Sequence, residues 1–172
     1  MKLKEVESGF SIIAEEEFSL SGKALAELIQ ATLAKGAGFR LKVKGFSMFP
    51  FIRDGDVITI SNLPDSSMNF GRISAFFDSQ TGKLVMHRIV GKNNGGYLIK
   101  GDNTFKADRL ICKENILGYV NRIERNNKAV FLSLGWERLL IAFFSKTRVL
   151  YLVTRLSRLL PLSIRNALKS II

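Results

Sequence analysis

Cysteine and histidine are almost missing from this 172-residue chain, which has one of each, Cys112 and His87. A single cysteine excludes an intrachain disulfide and a cysteine-based zinc site, and a single histidine excludes a multi-histidine metal site. No metal and no cofactor is expected. Cys112, within Leu110-Ile111-Cys112, reads as a small buried apolar residue. Long apolar runs are also lacking, since no stretch approaches the roughly eighteen residues of a spanning helix. The start, Met1-Lys2-Leu3-Lys4-Glu5-Val6-Glu7, has no apolar run behind its charges, so neither a secretory signal nor a signal anchor is expected. The expected location is cytoplasmic or peripheral to a membrane. Acidic residues are few, 15 against 26 Lys and Arg, for a net charge of +11. That field favours an anionic partner such as nucleic acid, lipid headgroups or an acidic peptide.

What is present falls into three zones: residues 1–38, 39–134 and 135–172. In the first, Ser19 or Ser21 can cap a helix from Lys23 to Leu33. Leu25, Leu28, Ile29 and Leu33 share one face of it, and Gly36 and Gly38 stop it. The second zone alternates short β-prone runs with turn signals. The runs are 39–44, 57–60, 73–77, 84–90, 97–100, 116–123 and 128–132, with turns at Asp54-Gly55, Asn93 to Gly96 and Asn126-Asn127. This predicts a mainly β protein, a compact and mostly antiparallel domain. In the third zone apolar residues recur at helical spacing among Arg138, Lys146, Arg148, Arg155, Arg158, Arg165 and Lys169. No acidic residue follows Glu137, and Pro161 divides the zone into at least two helices. Such basic amphipathic helices cap an apolar face or lie on a membrane surface. An anionic membrane surface is the partner that this zone fits, and nucleic acid is not the expected one.

Three boxes carry chemistry. The first runs from Lys44 to Ile60, with Gly45 as a flexible lead-in, then Ser47-Met48-Phe49-Pro50 and a turn at Asp54-Gly55-Asp56. The second is Val85-Met86-His87-Arg88-Ile89-Val90-Gly91. The third is Gly101-Asp102-Asn103-Thr104-Phe105-Lys106-Ala107-Asp108-Arg109. A serine hydroxyl needs an adjacent base to become a nucleophile, and histidine can take its proton near neutrality and return it.

Taken together, Ser-Met-x-Pro, the later Gly-Asp and the two following boxes resemble the type I signal peptidases and, more distantly, the self-cleaving repressor-type peptidases. Most bacterial signal peptidases and the repressor-type enzymes use a lysine base; His87 in its place resembles the Ser-His-Asp branch of endoplasmic-reticulum, archaeal and sporulating-bacterium enzymes. The resemblance implies a serine endopeptidase acting on a leader or signal-like peptide. It gives Ser47 as nucleophile, His87 as general base and Asp108 as orienting acid. Asp102 is the alternative acid or a structural residue, and Gly45, Met48 and Pro50 support the site. The resemblance spans about residues 39–123, with Asn115 to Val120 as its closing strand. It departs from the pattern at Gly45, where many members carry a hydroxyl, at Phe51, and at Gly71-Arg72. Two other functions fit the same residues: an autoproteolytic regulator, or a non-catalytic membrane- or peptide-binding module.

Overall fold

A computed structural model describes residues 11–14, for backbone alone, and residues 21–62, 70–107 and 110–157. Helix α1, Gly22–Ala34, begins where the Ser21 side chain accepts from the Ala24 N–H at 3.3 Å. Its apolar spacing carries through into packing: Ile29 and Leu33 enter the main core, and Leu25 and Leu28 pack against it. Gly36, at φ +75°, ends the helix, while Gly38 already opens the next strand.

Nine strands form one sheet among the described residues: β1 Ser11–Ala14, β2 Gly38–Lys42, β3 Val57–Ser61, β4 Ile73–Asp78, β5 Lys83–Asn93, β6 Gly96–Lys100, β7 Leu110–Ile111, β8 Ile116–Arg125 and β9 Lys128–Val130. The order is β1-β2-β3-β8-β4-β5-β6-β7, with β9 on β8. All pairs are antiparallel except β1 with β2. Asn126 and Asn127 both have positive φ, the geometry of a tight two-residue hairpin between β8 and β9.

Period-two burial gives the sheet two apolar faces. One core joins α1 to Phe39, Ile58, Ile60, Ile73 and Ile123; the other gathers Phe76, Ile89, Tyr97, Ile99, Ile111 and Tyr119. Burying each such side chain contributes roughly 1.5–3 kcal/mol.

Two strands, β1 and β7, have no counterpart in the periodicity. β7 is only two residues long, and β1 leans on a parallel neighbour rather than on a hairpin. The expected burial of Cys112 is corrected, because it is exposed. Ile111 takes the inward position of the short strand, so its successor points outward.

Beyond the sheet come helices α2, Arg138–Lys146, and α3, Val149–Ser157. Pro161 lies outside the described residues. The break between these two helices falls earlier than Pro161, at Thr147-Arg148, where the Thr147 hydroxyl donates back to the Phe143 carbonyl and Arg148 takes φ +65°. No helix among the described residues is long and apolar enough to cross a membrane.

The entry to α2 is fixed by Glu137, whose carboxylate accepts from the backbone N–H of Ser133 (2.8 Å) and of Gly135 (2.9 Å). Burial pushes this carboxyl up, but N–H donors at Glu137, Gly135 and Ser133, with the charge of Arg138, outweigh it. The pKa falls below its ordinary 4.5. A carboxylate favoured in the folded state stabilises fully above its unfolded pKa, and the gain is lost as pH falls through the lowered value. Thermal melts should therefore show wild type above Glu137→Gln at about pH 7, with the gap closing as pH falls below 4.5.

Candidate active site

Ser47 sits in the loop that leaves β2 and returns as β3. The loop is closed at its base by the Val43 N–H donating to the Asp56 carbonyl (2.7 Å) and the Gly55 N–H to the Val43 carbonyl (2.8 Å). Asp56, nearly inaccessible, accepts from Arg53 N–H and binds Arg125 through both carboxylate oxygens at 2.9 Å. Arg125 also donates to the Phe51 carbonyl. Met48 and Ile52 anchor the loop in the core, leaving Phe46 and Ser47 outside. Gly45 has φ +114°, a conformation that side-chain-bearing residues rarely adopt, and its N–H donates to Asp54 Oδ1 at 2.8 Å. Pro50 follows a cis peptide bond from Phe49.

His87 comes from β5, opposite Ser74 of β4, and is buried. The Ser74 hydroxyl donates to its carbonyl, and the ring lies edge-on to Phe76. One cavity of about 240 Å³ is lined by both Ser47 and His87, with Val43, Met48, Ile52, Leu84 and Met86 as apolar walls. A second, of about 370 Å³, lies beside His87 between Phe76, Val85 and Ile111. His87 thus borders both spaces, while Ser47 borders the first alone.

The turn after β6 closes the site from a third side. The Asn103 N–H donates to the Ser47 carbonyl at 2.7 Å, and the Asn103 side-chain amide donates to the Phe46 carbonyl. Gly101 lies so close that a Cβ there would fall 2.9 Å from both His87 Nε2 and the Ser47 carbonyl oxygen. Lys100 bends its ammonium over the turn and donates to the carbonyls of Gly101 and Thr104. From outside, the Thr154 hydroxyl of α3 donates to Asn103 Oδ1 at 2.9 Å.

Asp102 points elsewhere. Its carboxylate takes the Nε and Nη2 of Arg88 at 2.9 and 2.7 Å, both side chains being wholly buried. Arg88 donates further to the Gly71 carbonyl and the Ser133 hydroxyl. Because successive strand residues face opposite ways, Arg88 and its Asp102 partner lie across the sheet from the His87 ring. Asp108 is outside the described residues.

Reasoning from the sequence missed Arg88, Gly101, Asn103 and Thr154. Arg88 was visible only as a neighbour of His87, and the Gly-Asp-Asn turn only as the lead-in to Asp108. Nothing in the helical spacing marks Thr154 as a contact of that turn.

Two measurements probe this frame. Arg88→Met or Asp102→Leu alone leaves a buried charge without its partner and should cost about 3–5 kcal/mol in denaturant unfolding, with much of the loss recovered in the double variant. Additive losses would mean that the two charges are not coupled. Gly101→Ala should cost about 1–3 kcal/mol and move the His87 imidazole NMR signals, because the added methyl meets backbone on one side.

Residues 2–120 match the model of the Peptidase S24-like family. No curated protein matches the chain. A match over more than half of the chain, on a mainly antiparallel β fold, identifies it: the chain belongs to the Peptidase S24-like family of serine peptidases.

Proposed function

We propose that the protein is a serine endopeptidase of the signal-peptidase-like type that cleaves an extended leader or signal-like peptide, with Ser47 as nucleophile, His87 as base and Asp108 as the orienting acid. The observation that carries this reading is that the exposed serine of the first box and the single histidine of the chain border the same cavity. Asp108 is preferred to Asp102 because both Asp102 oxygens are engaged by Arg88.

The chemistry follows from the groups. A peptide enters the cavity in extended form and sets a small apolar side chain against Val43, Met48, Ile52 and Leu84. The Ser47 hydroxyl attacks the scissile carbonyl carbon while its proton passes to His87. The oxygen gains a negative charge that is stabilised by backbone N–H groups, including that of Ser47, since Gly45 offers no hydroxyl for this task. The imidazolium returns the proton to the departing amine as the C–N bond breaks. Water, deprotonated by His87, then hydrolyses the acyl-serine ester and restores the hydroxyl. Asp108 would hold the imidazole tautomer and balance its charge.

The test is cleavage of candidate leader peptides by wild type, Ser47→Ala, His87→Ala, Asp108→Asn and Asp102→Asn. Ser47→Ala and His87→Ala should each reduce kcat at least about a thousandfold with little change in melting temperature, and Asp108→Asn should be nearly as damaging. Equal cleavage by wild type, Ser47→Ala and His87→Ala would end the reading. A time-dependent self-cleavage product lost in Ser47→Ala, without cleavage of added peptides, would point to the autoproteolytic alternative.

A further inference from the structure

Helices α2 and α3 lie beyond the family-matched residues 2–120, so the peptidase fold itself does not account for them. An ordinary surface helix turns its apolar stripe inward, yet both of these helices leave large apolar side chains outside. α2 buries Ser145 along with Ile141 and Ala142, while Phe143 faces out at 57 % exposed. α3 is more extreme. Its one buried residue is Thr154, held against Asn103, whereas Leu152, Val153 and Leu156 are all more than half exposed. The turn ahead of α2 adds Phe131 and Trp136, at 82 and 76 %.

Charge selects what covers this face. Lys146 and Arg155 are exposed on the same two helices, and no acidic residue follows Glu137 to oppose them. A second copy of this chain would bring like charges together at a net +11 each. An anionic bilayer satisfies both the apolar side chains and the cations. Depth is set by length: nine residues give about 14 Å of helix, half of the roughly 30 Å hydrocarbon core, so each helix lies in the interface instead of crossing it. Tryptophan and basic side chains are the residues that such a boundary favours.

We propose that residues 131–157 form an interfacial hairpin that seats the protein on an anionic phospholipid surface. Because Thr154 donates to Asn103, and Asn103 donates to the carbonyls of Phe46 and Ser47, the seated hairpin holds the Ser47 loop at a fixed position beside the bilayer. This inference stands apart from catalysis, and its readout is binding.

Trp136 is the only tryptophan in the chain, so its emission reports on this surface directly. The full chain should pellet with phosphatidylcholine vesicles containing one-third phosphatidylserine, with a blue shift of Trp136. It should bind vesicles of phosphatidylcholine alone at least tenfold more weakly. Phe143→Ser with Leu152→Ser, both on the outward face, should lower the partition coefficient at least tenfold without lowering the melting temperature. Lys146→Gln and Arg155→Gln should each lower it about fivefold at low salt. Absence of pelleting and of the blue shift would overturn the proposal. So would unchanged binding of the Phe143→Ser, Leu152→Ser protein, which would mean adsorption by net charge alone. Emission already blue-shifted without vesicles would also defeat it, marking self-association if sedimentation gives a dimer, and cover by other residues of this chain if it gives a monomer.

Discussion

A guanidinium and a carboxylate with no access to water join the parts of this protein that matter for its chemistry. Arg88 leaves β5 on the face away from His87 and meets Asp102 in the turn that carries Gly101 and Asn103. It also reaches the Gly71 carbonyl and Ser133. Four segments far apart in the chain thereby converge on one planar group. Removing two charges from water is costly, and a bidentate fork with additional carbonyl acceptors is the arrangement that offsets it. The pair fixes where the Gly-Asp-Asn turn sits, and that turn fixes the Ser47 carbonyl through the Asn103 N–H.

Around this pair the site divides its labour by exposure. The serine stands outside on a loop anchored by Met48, Ile52 and the Asp56–Arg125 clasp. The histidine is buried in a strand with neighbours on both sides. Under the proposed roles, a nucleophile must be reached by a peptide, whereas a base benefits from a ring held in one place, and loop and strand supply those two conditions. Gly101 lets the third element approach closely enough to touch both partners. The closeness of this packing explains why a glycine, and not merely a small residue, stands there.

The C-terminal helices extend the same logic outward. The polar inner residue of α3, Thr154, binds Asn103 of the Gly-Asp-Asn turn, Phe105 packs against Tyr151, and Arg148 lies over the Phe105 ring. Once those contacts orient α3, Leu152, Val153 and Leu156 have nowhere to go but out. An apolar outer face is thus a consequence of how the helix is docked, and not of its hydrophobic content alone.

Much of this was legible in the residues themselves. Strict alternation in Phe39-Arg40-Leu41-Lys42, the paired asparagines at 126–127 and the capped α1 each specify their own local structure, because the forces involved act within a few residues. The serine peptidase was legible in another way, through the family resemblance that the Ser47, His87 and Gly-Asp-Asn boxes carry in their order. Only the tertiary structure decided which carboxylate answers Arg88, which face of α3 turns inward, that Cys112 faces water and that Ser11–Ala14 adds a parallel edge strand. Those outcomes depend on contacts between residues distant in the chain, and a periodicity gives the spacing of a face without saying what that face will meet.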